Sequence, residues 1–173
     1  TNMVEYPEVA VGDFAKEYLE LPRDVLITVL KSHQRLFTFD KTNQFLVVFN
    51  GTKRMAHAVK NGFEKVVRAQ LEDAIFYYNQ DLKYGLDNMA DDLKSVTWFE
   101  GLGTLKDKTV RLSNLTAFLA DRITVGDGKR NIDKNVLARA AVLCKADLAS
   151  QMVREKELTK LQGIMGKHYA LKA

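Results

Sequence analysis

The sequence predicts a mainly α-helical chain, with an N-terminal α+β piece carrying a β-hairpin and a helical bundle after it. Three observations predict this. Residues 35–39 and 44–50 are rich in Phe, Leu and Val and flank the turn formers Asp40, Lys41, Thr42 and Asn43, the pattern of a hairpin. Residues 55–82 carry apolar side chains at helical spacing. Beyond Gly101 the periodic stretches are all helical.

The elements follow in order. Residues 1–13 have little periodicity and read as a lead-in. Residues 14–21 read as a strand ending at Pro22, which suits the first turn of a helix over about 23–33. Asp24 lies near the positive end of that helix's dipole, and Val25, Leu26, Val29 and Leu30 form its stripe. In the long helix, Val59, Phe63, Val66, Val67, Ala74 and Tyr77 contribute to the apolar face, while Lys65 and Arg68 point elsewhere. A shorter helix over 86–99 has Leu86, Met89, Leu93 and Val96 as its stripe, and Gly101 and Gly103 break it.

Thr104 caps the next helix, whose first turn holds Asp107. That helix runs to about residue 123, with Leu112, Leu115, Phe118 and Leu119 inward. Residues 126–131 form a loop by composition. Asp133 then caps a helix over about 134–152 whose core is Val136, Leu137, Ala140, Ala141, Leu143, Cys144 and Leu148. A tail over 160–173 holds Gly163, Gly166 and Tyr169.

The 173 residues are 46% hydrophobic and 28% charged, ordinary for globular protein and enough for one domain or two small ones at roughly 100–200 residues each. No apolar run approaches the ~20 residues that span a bilayer. Glu5, Glu8 and Asp13 interrupt any signal-peptide pattern. The one cysteine, Cys144, has no internal partner, which fits a reducing compartment, hence the cytoplasm; it reads as a small buried hydrophobe. The net charge of +4 is compatible with nucleic acid without demanding it. With no starting Met and an apolar helix close to its end, the sequence reads as an internal piece of a longer chain.

No phosphate-binding glycine loop is present: Gly101-Leu102-Gly103 lacks the third glycine of a dinucleotide fingerprint. His33, His57 and His168 carry no metal-ligand spacing. The expectation is no catalytic set, no metal and no cofactor in these residues. What remains is basic residues, some near aromatics: Lys31, His33 and Arg35 near Phe37; Lys65 and Arg68; Lys106, Lys108 and Arg111; and Lys145. Such side chains contact phosphates as positioning groups rather than sequence readers. A solvated helix surface accounts for the same spacing.

Several blocks extend this reading. They are Leu21-Pro22-Arg23-Asp24-Val25-Leu26, then Lys31-Ser32-His33-Gln34-Arg35-Leu36-Phe37; Glu64-Lys65-Val66-Val67-Arg68-Ala69-Gln70-Leu71-Glu72-Asp73-Ala74; Leu102-Gly103-Thr104-Leu105-Lys106-Asp107-Lys108-Thr109; Lys145-Ala146-Asp147-Leu148; and Leu161-Gln162-Gly163-Ile164-Met165-Gly166-Lys167-His168-Tyr169. In order and spacing the chain resembles the β subunit of bacterial two-subunit glycyl-tRNA synthetase. It departs from that pattern at Phe63, at Gln70, where Arg is usual, and by about two extra residues between Met152 and Leu161.

The resemblance implies a division into residues 1–100, the α+β segment with hairpin and long helix, and residues 101–173, the front part of an HD-like helical domain. HD phosphohydrolases bind metal through an adjacent His and Asp; here Ala146 and Asp147 occupy that place, a degenerate HD position with no metal expected. The resemblance further implies a ligase that attaches glycine to tRNA(Gly), with ATP used on the α subunit and none in this piece. Partners would be tRNA(Gly) and the α subunit, with no membrane. Lys106, Lys108 and Arg111 are the first candidates to approach the tRNA backbone, and Lys31, Arg35, Lys65 and Arg68 the weaker ones. The rivals are a structural scaffold that contacts the α subunit or the rest of β, and a residual HD-type metal phosphohydrolase.

Overall fold

A computed structural model describes residues 4–32, 34–120, 122 and 133–173. The end of the first helix at His33, the end of the later helix at residue 123 and the loop at 126–131 lie outside the described residues. The chain forms two compact units. One comprises Thr1–Asn79 with Glu155–Leu161, the other Gln80–Arg154 with Gln162–Ala173.

In the first unit, β1 (Pro7–Asp13), β2 (Phe37–Thr38) and β3 (Gln44–Asn50) form an antiparallel sheet in the order β1-β3-β2. The expected hairpin is present, with Phe37 opposite Leu46 and Thr38 opposite Phe45. Along β3 burial alternates, and Phe45, Val47 and Phe49 enter the core. Its other edge is taken by β1 over seven residue pairs, from Pro7–Asn50 to Asp13–Gln44. The expected lead-in is therefore a strand, and the strand expected at 14–21 is instead a 3₁₀ turn over Lys16–Glu20. The cause is non-local: β1 completes the ladder of β3, and the chain then folds over so that Phe14, Tyr18 and Leu21 are all buried.

Helix α1 (Arg23–Ser32) buries Val25, Leu26, Val29 and Leu30, the stripe read from sequence. The carbonyl of Pro22 accepts from Val25 and Leu26 N–H. Helix α2 (Ala56–Tyr84) buries Val67, Leu71, Ala74 and Tyr78 at spacings of four, three and four. Val66 is exposed, one position off that line, while Val59, Phe63 and Tyr77 are half-buried. Leu158 and Leu161 also belong to this unit's core.

In the second unit, α3 (Leu86–Asp92) buries Leu86, Met89 and Ala90, and Leu93 follows in a 3₁₀ turn. The helix does not continue to residue 99. Residues Thr97–Phe99 form β4, paired with β5 (Gly103–Thr104). β-Branched and aromatic side chains favour strand there, and Gly101 and Gly103, at φ 79° and 81°, close the turn.

Helix α4 (Leu105–Ala120) buries Leu105 and Thr109, with Leu112 and Thr116 half-buried on the same side. Leu115, Phe118 and Leu119, expected inward, are exposed. At 100° per residue Leu115 and Phe118 lie on a different stripe from Leu105 and Thr109, whereas Leu119 is close to that stripe but exposed in the last turn of the helix. Helix α5 (Lys134–Leu143) is capped as expected: the Asp133 carboxylate accepts from Asn135 and Val136 N–H. It ends well before residue 152. Val136, Ala140 and Cys144 are exposed rather than core, and the Cys144 thiol donates to the Ala141 carbonyl at 3.3 Å.

The helix stops because the chain turns inward to place two buried polar groups. Asp147, 2% exposed, sits in a 3₁₀ turn over Ala146–Ala149. Its Oδ2 accepts from the N–H of Gly163 and, at 3.0 Å, of Gly166, and so closes the start of α7 (Ile164–Ala170). A Cβ at Gly166 would lie 3.3 Å from that carboxyl. Ser150, also buried, accepts from Val153 N–H and starts α6 (Gln151–Arg154).

Asp81 plays the matching role near the end of α2. Its carboxylate accepts from Gln151 N–H at 2.8 Å, Met152 N–H at 3.0 Å and the Tyr169 hydroxyl at 2.7 Å. A buried charge is tolerated only when its lone pairs are met this way. Asp147→Ala would strand two amide donors and is expected to lower unfolding free energy by about 2–3 kcal/mol, with Asp147→Asn milder. Urea denaturation midpoints check both.

Candidate nucleic-acid interface

The start of α4 is held by a reciprocal cap. The Thr104 hydroxyl accepts from Asp107 N–H at 3.1 Å, and Asp107 Oδ2 accepts from Thr104 N–H at 2.7 Å and from its hydroxyl at 2.8 Å. Those hydrogen bonds hold the Asp107 carboxyl below the ordinary Asp range. Gly103 is required by the same cap, because a Cβ there would lie 2.4 Å from Asp107 Oδ2 and its φ is positive.

Three cations follow, and they are not alike. Lys106 Nζ bonds Asp91 Oδ1 at 2.8 Å and the Ala90 carbonyl at 3.2 Å, so it ties α4 to α3. Lys108 Nζ lies 3.0 Å from the centroid of the Trp98 ring. Arg111 is exposed, one turn beyond Lys108. The helical repeat sets Lys108 and Arg111 on one side and Lys106 on another. The structure thus brings two of the three together, beside an aromatic that sequence reasoning had missed. Phe99 and Leu102 next to it are also exposed. Further along α4, Arg122 stacks over Phe118, with its guanidinium carbon 3.6 Å from the ring centroid.

The cations of the other unit stand on different elements. Lys31 is exposed in the last turn of α1, and Arg35 is exposed with φ 50°. Lys65 and Arg68 occupy successive turns of α2 on its exposed side. The surroundings of Arg68 are largely acidic. Arg68 lines a hollow with Asp13, Glu17, Glu64 and Glu72. Nearby Lys60 bonds Asp13 at 3.3 Å and lies 3.4 Å from Glu64, and those carboxylates raise its pKa. Burial, with Glu72 and Glu17, raises that of the Tyr18 phenol.

Ala146 and Asp147, expected from the resemblance to stand at a degenerate HD position, do not present the donor set of a divalent metal. Ala146 offers no donor atom, and Asp147 Oδ2 is engaged by two amides. Among the described residues, no three His, Cys, Asp or Glu side chains gather where they could hold an ion. Nor does Gly101-Leu102-Gly103 fit a nucleotide phosphate: it is the hairpin turn, and the Asp107 carboxylate occupies the following amide. Among the described residues no helix is long and apolar enough to cross a membrane.

Comparison with known proteins gives one consistent result. A family model described as "Glycyl-tRNA synthetase beta subunit" matches residues 1–173. The glycine–tRNA ligase beta subunit of Sulfurihydrogenibium sp. (strain YO3AOP1) is 44% identical over 99% of this chain and 25% of its own length. That of Persephonella marina is 42% identical, over 99% and 24%, and that of Picosynechococcus sp. 40% identical, over 98% and 24%. The chain therefore spans about a quarter of the length of the curated relatives it matches.

The exposed carboxylates of this unit differ in how their pKa values are lowered. Arg139, through hydrogen bonds to both oxygens, lowers Asp87, and Lys106 lowers Asp91. Asp107 is lowered chiefly by its hydrogen bonds to Thr104. A depressed carboxylate stabilises the fold above its unfolded pKa, and the contribution is lost as pH falls through the folded value. All three contributions should therefore vanish on acidification, below the ordinary Asp range. High salt should move Asp87 and Asp91 back toward that range and leave Asp107 depressed, because screening acts on ion pairs and not on a neutral cap. Carboxyl-detected NMR titrations at low and high salt read this directly.

Proposed function

The chain belongs to the glycyl-tRNA synthetase beta subunit family, and on that premise we propose that it serves a glycine–tRNA ligase by holding tRNA(Gly). Glycine activation, with ATP, falls to the α subunit, and the aminoacylating assembly contains both chains and works in the cytoplasm. The observation that carries this reading is the pairing of Lys108 and Arg111 on the exposed side of α4 beside Trp98. Cations of that kind neutralise backbone phosphates and position a nucleic acid without reading its sequence. Lys31, Arg35, Lys65 and Arg68 are secondary contacts, with the phosphate affinity of Arg68 weakened by neighbouring carboxylates. Lys106 is a brace for the fold.

We read α4 to α7 as the front part of an HD-like scaffold, so that 1–100 and 101–173 are modules of the family rather than packing units. A residual phosphohydrolase has least support, given Ala146 and the engaged Asp147. A second reading, contact with the α subunit or with other parts of the beta subunit, is favoured by the exposed Leu115, Phe118, Leu119 and Val136.

Replacing Lys108 and Arg111 by Ala in the complete two-subunit enzyme should weaken tRNA binding and shrink the slope of log affinity against log salt by about 1–2. Lys106→Ala should leave the slope alone and lower the thermal midpoint instead. Filter binding across a salt series separates these outcomes, and an unchanged slope in the double variant would count against the reading.

A further inference from the structure

The aromatic tip beside Lys108 is the least explained surface of the chain. Trp98 is 45% exposed, Phe99 65% and Leu102 54%. The pairing shifts between Thr97 and Phe99, so Trp98 is the extra residue of a β-bulge and is followed directly by Phe99. The tip is preorganised. Leu102 N–H donates to the Phe99 carbonyl at 3.0 Å, Leu105 N–H to the Val96 carbonyl at 2.8 Å, and two glycines at positive φ set the turn between the strands. Lys108 lies over one face of the indole and orients it.

We propose that the β4–β5 tip is a stacking platform for unpaired RNA bases, with Trp98 and Phe99 as the stacking groups and Lys108 and Arg111 on the adjoining phosphates. This rests on the tRNA reading above and narrows it. Each base carries a π-face but a duplex hides it, so exposed rings beside cations suit a single strand, loop or end. A protein partner accounts for the apolar area but gives no role to the cation over the ring. Glu100 at the turn and Asp107 behind it are the nearby acids. Asp107 Oδ2 is already engaged by the cap, with the Arg111 charge as a lesser influence on it, and Glu100 is exposed in the turn.

Trp98 is the only tryptophan in the chain, so its emission reports this site alone. An unstructured single-stranded RNA should quench it, and a blunt RNA duplex of equal length should quench it far less. Replacing Trp98 and Phe99 together by Ala should weaken single-strand binding roughly tenfold or more while preserving the salt slope. Trp98→Phe, which keeps a ring, should recover most of that loss. Circular dichroism confirms that each variant is folded. Wild-type affinity for single strands and for tRNA in the Trp98/Phe99 variant overturns the stacking proposal and leaves the tRNA reading standing. Quenching by added α subunit and not by RNA also overturns it. Failure of the complete two-subunit enzyme to bind any RNA overturns both.

Discussion

Two buried carboxylates, Asp81 and Asp147, organise the second compact unit. Each is 2% exposed, and each is surrounded by donors: Gln151 and Met152 amides with the Tyr169 hydroxyl for Asp81, Gly163 and Gly166 amides for Asp147. A carboxyl group buried without such partners costs on the order of several kcal/mol, a large share of a domain's net stability. The short helices α6 and α7 have few hydrogen bonds of their own, and their first amides are met by these two side chains. Gly166 is small for the same reason: a methyl group there would press on the Asp147 carboxyl.

This arrangement also bears on Ala146 and Asp147, the pair that the family resemblance implies as a degenerate HD position. At a metal centre the Asp oxygen faces an ion. Here it faces amides, inside a core that includes Ala146, Ala149 and Met165. Its Oδ2 is committed to the two amides, and the neighbouring Ala146 supplies no second donor atom.

The charged residues of this unit sort by what they touch. Lys106 and Arg139 are bound to Asp91 and Asp87 and brace neighbouring helices. Lys108, half-buried over the Trp98 ring, and exposed Arg111, one turn on, stand beside exposed rings and form no ion pair of the kind that fixes Lys106 and Arg139 among the described residues. A functional surface is more credible where side chains are not consumed by the scaffold, and that criterion separates residues that look equivalent as a string of Lys and Arg.

Local rules made much of the fold legible. The hairpin, α1, the long helix, the Thr104 and Asp133 caps and the helical second half follow from turn chemistry and periodicity, which act within a few residues. The blocks of family resemblance were legible too, and so was Asp147 as a marked position. What the string did not disclose depends on distant partners. Pro7–Asp13 became a strand because β3 had an open edge. Residues 97–99 left their helix because Gly103 and Thr104 lay across from them. Leu115 and Phe118 face outward because Leu105 and Thr109, not they, meet the core. Asp81 shows no local sign of its role, since its donors lie 70 to 88 residues away. Sequence by itself determined the hairpin, the main helices, two of their caps and family membership; tertiary structure decided where chain segments paired into strands, which face of each element was buried and how the cations were engaged, because these are settled by contact between segments and not within them.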